Sequence, residues 1–117
     1  MSPNANPLPK NFKLIGIRTS PLENGKLTVD LIFNAGIDPR TMNNSCVLIN
    51  GKPLQQNTKF FFNKRGNIIR FELNNVKESF SILIQHINSF NGIKMFPFIL
   101  EKITGNMDFR IPPESHY

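Results

Sequence analysis

Few residues in this sequence are of types that could perform chemistry, and they are widely spaced. His86 ends the apolar segment 80–86 and His116 lies near the last residue, with no second His or Cys near either at metal-ligand spacing. Ser81, His86 and Asp30 are the residue types of a hydrolytic triad, but no glycine-flanked serine turn accompanies them. The sequence therefore predicts no metal site, no catalytic residues and no enzymatic activity.

Cysteine, carboxylates and glycines support the same conclusion. Cys46 is the only cysteine, which excludes an intrachain disulfide and suits a small buried apolar residue in a strand. Asp30, Asp38, Glu72 and Glu78 are too sparse for the oxygen-rich cage that calcium needs. The glycines stand singly, so no glycine-rich phosphate loop is present. We therefore predict that the protein uses no cofactor.

The strongest candidate for binding is the segment 59–67, "KFFFNKRGN", in which three phenylalanines precede the only adjacent basic pair. Nucleic-acid-binding barrels use exposed Phe as a stacking surface for bases, with Lys and Arg beside it. The alternative is a hairpin strand with a mainly structural role. The candidate partner-binding residues are Phe60, Phe62, Lys64 and Arg65.

Two hairpin registers are compatible with this segment. Residues 63–66, Asn-Lys-Arg-Gly, predict a type I turn with Asn first and Gly fourth. A three-residue loop places Phe61 opposite Ile69 in the core, with Phe60 and Phe62 outside. A four-residue loop reverses this and exposes only Phe61. In either register we expect the outward ring to be covered by a tail segment, a second copy or a partner.

The net charge of +6 and the isoelectric point near 9.8 suggest binding to polyanions. Apart from Lys64 and Arg65, however, the basic residues are scattered singly along the chain. A scattered distribution favours a solvated basic surface. We expect polyanion binding only as a weak, salt-sensitive property.

The length of 117 residues predicts one domain that buries its own core. Residues 1–11 are rich in Pro and Asn and are expected to be extended, residues 12–104 to fold, and residues 105–117 to form a C-terminal tail. The first residues lack the apolar segment of a signal peptide. No segment approaches the roughly 20 apolar residues of a membrane span.

Seven short segments have strand patterns and are separated by Gly, Asn and Pro turn signals. The clearest alternation is in residues 26–33, where apolar side chains on one face alternate with polar ones on the other. These segments predict an all-β sandwich or barrel. Pro97, inside the last of them, predicts an edge strand or a bulge. The seven predicted strands are residues 12–18, 26–33, 45–50, 59–63, 68–73, 80–87 and 94–103.

Local signals also predict turns and a core. Asp38 followed by Pro39 predicts a short helical turn with Asp as its cap. Asn50 and Gly51 predict a hairpin turn. The inward faces of the strands predict a core made of Leu27, Val29, Leu31, Phe33, Ile69, Phe71, Phe80, Ile82 and Ile84.

Strand and turn motifs follow one another in a fixed order over residues 27–99. They are "LTVDLIF", "IDPRTM", "SCVLINGKPL", "IIRFEL", "FSILIQHINSFNG" and "MFPFIL". In this order they resemble a bacterial immunoglobulin-like domain of the surface-layer and adhesin envelope-protein type. Such domains are similar in their L-x-V-x-F strand, D-P-x-T turn and S-x-x-V-x-x-G strand. Two departures are Phe80 in place of the usual Tyr, and residues 88–92 without the usual Asp.

The resemblance implies an immunoglobulin-like β-sandwich of about seven strands with Greek-key connections. It implies a non-enzymatic spacer or interaction module of a bacterial cell-envelope or surface protein, outside the cytoplasm, with a protein partner or neighbouring domain. It carries over no catalytic residues. The alternative hypothesis is a basic β-domain that binds single-stranded nucleic acid or another polyanion through Phe60, Phe62, Lys64 and Arg65.

Overall fold

Short strands joined by tight turns build most of the structure. The computed structural model describes residues 11–74 and 79–111. The three 3-10 helices in these residues are Glu23–Gly25, Pro39–Thr41 and Asn44–Cys46. The nine strands there are β1 (Leu14–Pro21), β2 (Leu27–Phe33), β3 (Val47–Ile49), β4 (Lys52–Pro53), β5 (Phe61–Phe62), β6 (Ile68–Leu73), β7 (Ser79–Ile84), β8 (Phe98–Thr104) and β9 (Met107–Arg110).

The strands form two antiparallel sheets that pack against each other. One sheet has the order β5-β6-β2-β1-β9 and the other has the order β4-β3-β7-β8. This arrangement confirms the predicted all-β sandwich. The two strands beyond the predicted seven are β4, which closes a hairpin with β3, and β9. Over residues 11–74 and 79–111, no helix is long and apolar enough to cross a membrane.

Strand β9 lies within residues 105–117, the segment predicted to be a tail. It pairs with β1, and Thr19 of β1 holds the connection from β8 to β9 in place. The buried Thr19 hydroxyl donates to the Thr104 carbonyl at 2.8 Å and accepts from the Met107 amide at 3.0 Å. The first part of the predicted tail therefore extends the sheet. Residues 112–117, like the N-terminal residues 1–10, lie outside the described part of the chain.

The core between the sheets is confirmed, because every predicted core residue is buried. Period-two alternation places these side chains on the inner faces of β2, β6 and β7. Phe33 also stacks on Phe12, with ring centroids 5.1 Å apart. Phe12, Phe33 and Phe71 are among the largest side chains with full burial. The core is therefore built largely on Phe and aliphatic side chains.

The predicted turns are confirmed by their backbone geometry. Asp38 caps the Pro39–Thr41 helix by accepting from the Arg40 amide at 3.0 Å. Asn50 (φ 51°) and Gly51 (φ 82°) have the two positive φ angles of a type I′ turn between β3 and β4. Pro97 immediately precedes β8, which is an edge strand as its proline predicted.

Candidate partner-binding surface

The β5–β6 hairpin has the four-residue loop. Phe62 lies opposite Ile69 and Phe61 opposite Arg70, and the Asn63 amide donates to the Ile68 carbonyl at 3.3 Å. The register that paired Phe61 with Ile69 is therefore wrong. The alternative register, which turns Phe61 outwards, is the one that forms, but it does not expose Phe61 alone, because Phe62 is also exposed.

Hydrogen bonds on both sides of the loop explain this register. The Asn63 side-chain oxygen accepts from the Asn67 and Ile68 amides, each at 3.0 Å. The carbonyls of Gly66 and Asn67 accept from Ile37 and Phe33 amides, each at 2.8 Å. The loop is thus anchored to the chain that follows β2. The Asn63 bonds are local, whereas the bonds to Ile37 and Phe33 link segments about 30 residues apart and so lie outside what a turn signal can predict.

The three phenylalanines have different environments. Phe61 is 57% exposed and Phe62 is 37% exposed, whereas Phe60 is half-buried. Phe60 packs edge-to-face on the core residue Phe71, with ring centroids 6.1 Å apart. The predicted exposed pair of Phe60 and Phe62 is therefore wrong for Phe60. Phe61, which the first register placed in the core, is the most exposed ring of the triplet.

Lys64 and Arg65 lie exposed on the loop, at one end of the sandwich. The Gly66 carbonyl joins this loop to Ile37, and the neighbouring Gly36 carbonyl accepts from the Phe90 amide at 2.9 Å. Phe90 is 72% exposed, and the sequence analysis did not identify it. Gly36 and Ile37 therefore hydrogen-bond both the loop that carries Phe90 and the loop that carries the basic pair.

The outer face of the five-stranded sheet carries a row of charged residues that ends in Phe61. Asp30 of β2 lies opposite Arg18 of β1 and opposite Arg70 of β6. The row continues to Asp108 of β9 beyond Arg18, and to Phe61 of β5 beyond Arg70. Sequence patterns predict which side chains share a face, but the strand order decides which of them become neighbours.

Asp30 holds both arginines of this row. The Asp30 side chain is only 4% exposed, although its position places it on the polar face of β2. Its oxygens accept from Arg18 Nε at 3.1 Å and Nη2 at 2.8 Å, and from Arg70 Nε at 2.7 Å and Nη2 at 3.0 Å. The two arginine side chains remain 41% and 56% exposed. Each guanidinium therefore keeps further N–H donors for a ligand.

The same contacts set the protonation of Asp30. Burial disfavours the charged carboxylate and would raise its pKa, but hydrogen bonds and charges from Arg70 and Arg18 outweigh this effect and lower the pKa below its ordinary value. Asp30 is therefore ionised at neutral pH. Two guanidinium groups against one carboxylate leave an excess of positive charge at the centre of this face.

A shallow groove of about 240 Å³ lies over this arrangement. Arg18 and Arg70 supply guanidinium donors, and Phe61 and Phe62 supply apolar surface. Asn63 and Ile68 complete the wall next to the hairpin loop. The groove combines exposed aromatic rings with cations that a buried carboxylate holds in position, and such a surface can bind an anionic group attached to an apolar one.

The candidate triad residues are not brought together. Asp30 lies in the five-stranded sheet with both arginines, whereas Ser81 lies in β7 of the other sheet and its amide donates to Asn50. His86 is exposed beyond the end of β7. His116 and Glu78 lie outside the described residues.

Cys46 and the acidic residues also lack the geometry of a reactive site. Cys46 is buried, as predicted, and its thiol lies 3.4 Å from the Thr41 carbonyl. Burial raises the pKa of this thiol, so it is protonated at neutral pH. Within the described ranges, no group of three or more His, Cys, Asp or Glu residues could hold a metal ion.

Comparisons with known proteins do not assign the chain to a family. No protein-family model, no curated protein and no solved structure matches the chain.

Proposed function

We propose that this domain is a non-enzymatic, immunoglobulin-like module that binds a protein partner through the outer face of its five-stranded sheet. The strand order supports the immunoglobulin-like part of the proposal. β1, β2, β6 and β5 lie together in one sheet, and β3, β7 and β8 lie together in the other. Strands A, B, E and D and strands C, F and G are grouped in the same way in constant-type immunoglobulin domains. β9 is an addition beside β1.

The observation that carries the binding role is the exposure of Phe61 beside the arginines. More than half of this ring is exposed, and the groove that it lines also contains Arg18 and Arg70. Aromatic residues and Arg are enriched where proteins bind one another. An exposed ring on an edge strand is otherwise an aggregation hazard. A partner that covers Phe61 removes this hazard and uses the adjacent cations.

The resemblance to envelope proteins supports a location outside the cytoplasm, in the periplasm or at the cell surface. There the module would act as a spacer or docking element between its partner and any neighbouring domain. Fractionation of cells that produce the natural gene product tests this location. Recovery in the cytoplasmic fraction alone would contradict it.

Photo-cross-linking from position 61 tests the binding role. We expect Phe61→benzoylphenylalanine to give a discrete cross-linked product in the producing cells, because the ring lies at the partner contact. Leu22→benzoylphenylalanine is the matched control, since Leu22 is 42% exposed in the turn after β1 and does not line the groove. The proposal fails if position 61 gives no product, or gives only products that position 22 gives equally.

Binding of single-stranded nucleic acid is the second candidate, because the groove contains two rings and two guanidinium groups. It requires affinity for an oligonucleotide that persists from low to near-physiological salt and falls when Phe61 and Phe62 are replaced by Ala. Binding that disappears with salt and does not depend on the rings is attraction to a basic surface. The burial of Phe60 against Phe71 removes one of the stacking positions that this candidate needs.

A further inference from the structure

We infer that the partner presents an acidic peptide segment, with carboxylates for Arg18 and Arg70 and an apolar side chain for Phe61. This inference rests on the proposed protein-binding function and adds the chemistry of the partner. It depends on the groove over Arg18, Asp30, Arg70 and Phe61 of the charged row and on the charges within it.

Charge complementarity is the first argument. Asp30 neutralises only one of the two guanidinium groups that it holds, and both arginine side chains keep about half of their surface exposed. Asp108 at the far end of the row pairs with Arg110 at 2.7 Å, and no bond joins Asp108 to Arg18 in the described contacts. The excess positive charge is therefore concentrated at Arg18 and Arg70. A ligand carboxylate can accept their remaining N–H groups in charge-assisted hydrogen bonds.

Rigidity is the second argument. Each arginine is held by two hydrogen bonds to a carboxylate that is itself buried, so the guanidinium planes are oriented before a ligand arrives. Orientation in advance reduces the side-chain entropy that binding costs. It also favours planar carboxylates that can bind two N–H groups at once.

Spacing is the third argument. Arg18 and Arg70 lie on strands separated by one intervening strand, which places their backbones roughly 9–10 Å apart. Alternate side chains of an extended peptide lie about 6.6–6.8 Å apart on one side. Both guanidinium groups reach towards Asp30, which lies between them, so they are closer together than the two backbones are. Two carboxylates on alternate residues of an extended peptide can therefore contact them. The next side chain on that side then approaches Phe61, the neighbour of Arg70 in the row.

The acidic residues of the same face argue against a nucleic acid as the ligand. Asp30 and Asp108 alternate with the arginines, and Glu72 is exposed two residues after Arg70. A chain with a phosphate at every unit would meet these carboxylates as well as the cations. A peptide with spaced carboxylates can avoid them. Phe61 and Phe62 line the groove, but Phe60 packs on Phe71 instead, so three successive stacking positions are not available to bases.

A binding titration tests this inference. The probe is a short fluorescein-labelled peptide with the repeat Glu-Ser-Glu-Ser-Leu, compared with the same peptide carrying Gln for Glu and with oligothymidine of similar length. We expect the acidic peptide to bind at least about tenfold more tightly than the Gln peptide, as lost charge-assisted bonds predict. We expect its affinity to decrease as salt increases.

Paired variants locate the binding site. Phe61→Ser and Arg70→Gln should each weaken binding of the acidic peptide about tenfold. The matched controls are Ile99→Ser and Lys102→Gln, exposed positions on β8 of the other sheet, and these should leave the affinity within about twofold. Phe61→Ser keeps the test valid if Arg70→Gln reduces folding, because Phe61 is a surface residue.

The results separate the inference from the function on which it rests. Equal binding of the Glu and Gln peptides, or equal loss in the β8 controls, would overturn the inference. Tighter binding of oligothymidine at near-physiological salt that depends on Phe61 would replace it with the nucleic-acid candidate. A cross-linked product from position 61 together with no peptide binding would overturn the acidic partner and leave the interaction module supported.

Discussion

Asp30 shows how one residue links stability to the candidate site. Its carboxylate is nearly inaccessible to water, yet it is ionised because Arg18 and Arg70 surround it. If either arginine were removed, this buried carboxylate would keep only part of its hydrogen bonds, which would destabilise the fold. The residue that positions the arginines for a ligand is therefore also one on which folding depends.

Stability should fall in acid partly through Asp30. Its pKa is lowered in the folded state, so the unfolded chain binds the proton more readily. The stabilisation is fully present above the unfolded pKa of about 3.9 and is lost as the pH falls from there through the lower folded pKa. We expect denaturant unfolding of wild type to lose stability below about pH 4. Asp30→Asn should be less stable at pH 7 and should lose less on acidification.

Asp108→Asn is the control for this measurement, because the Asp108–Arg110 pair is exposed on both sides. It should keep the acid-dependent decrease of the wild type. Identical pH profiles for wild type and Asp30→Asn would show that Asp30 does not contribute to acid sensitivity.

Phe61 and Phe71 lie on the two strands of the β5–β6 hairpin, and replacing them should affect stability differently. Phe71→Ala removes a fully buried ring and should cost about 3–5 kcal/mol of unfolding free energy. Phe61→Ala removes an exposed ring and should change it by less than about 0.5 kcal/mol. Urea titration of both variants checks this contrast. A large loss for Phe61→Ala would mean that other parts of the chain cover the ring.

At the scale of elements, the two sheets have different outer faces. The five-stranded sheet carries the charged row around Asp30. The four-stranded sheet carries an apolar row formed by Pro53, Leu48, Leu83 and Ile99. The edge strand β9 of the five-stranded sheet is held by the hydroxyl of Thr19 in addition to its backbone pairing with β1.

Removing that hydroxyl should loosen β9. Thr19→Val keeps the shape of the side chain and the strand preference, but it leaves the Met107 amide and the Thr104 carbonyl without this partner. We expect a loss of about 1–3 kcal/mol. Hydrogen exchange should become faster in β9 more than in β2. Thr28→Val, on the outer face of the neighbouring strand, is the control and should change stability little.

At the scale of the whole molecule, the charged groove and the exposed loops lie on different sides of the sandwich. The charged groove lies on one sheet, and the exposed Phe90 and the Lys64–Arg65 loop lie at one end. The hairpin connects them, because β5 carries Phe61 and its loop carries the basic pair. A partner that binds the groove can therefore reach the loop end without crossing the four-stranded sheet.

The features that depend on residues close together in the chain follow from sequence patterns alone. Period-two alternation identified the core-facing residues of β2, β6 and β7, because a strand must direct alternate side chains to one face. It did not identify the burial of Asp30 on the opposite face of β2. Asn50 and Gly51 identified their turn, because its two positive φ angles suit few other residues. Together these local rules predicted the all-β sandwich.

The features that depend on residues far apart in the chain follow from how the strands pair and pack. The loop of the hairpin that exposes Phe61 is bonded to Phe33 and Ile37, about 30 positions away. The strand order placed Arg18 and Arg70 on both sides of Asp30, although Arg18 is 12 and Arg70 is 40 positions from Asp30. The Thr19 hydroxyl likewise bonds Thr104 and Met107, which are far from it in sequence. Local patterns specify which face a side chain takes, whereas its neighbours on that face depend on how distant strands pair.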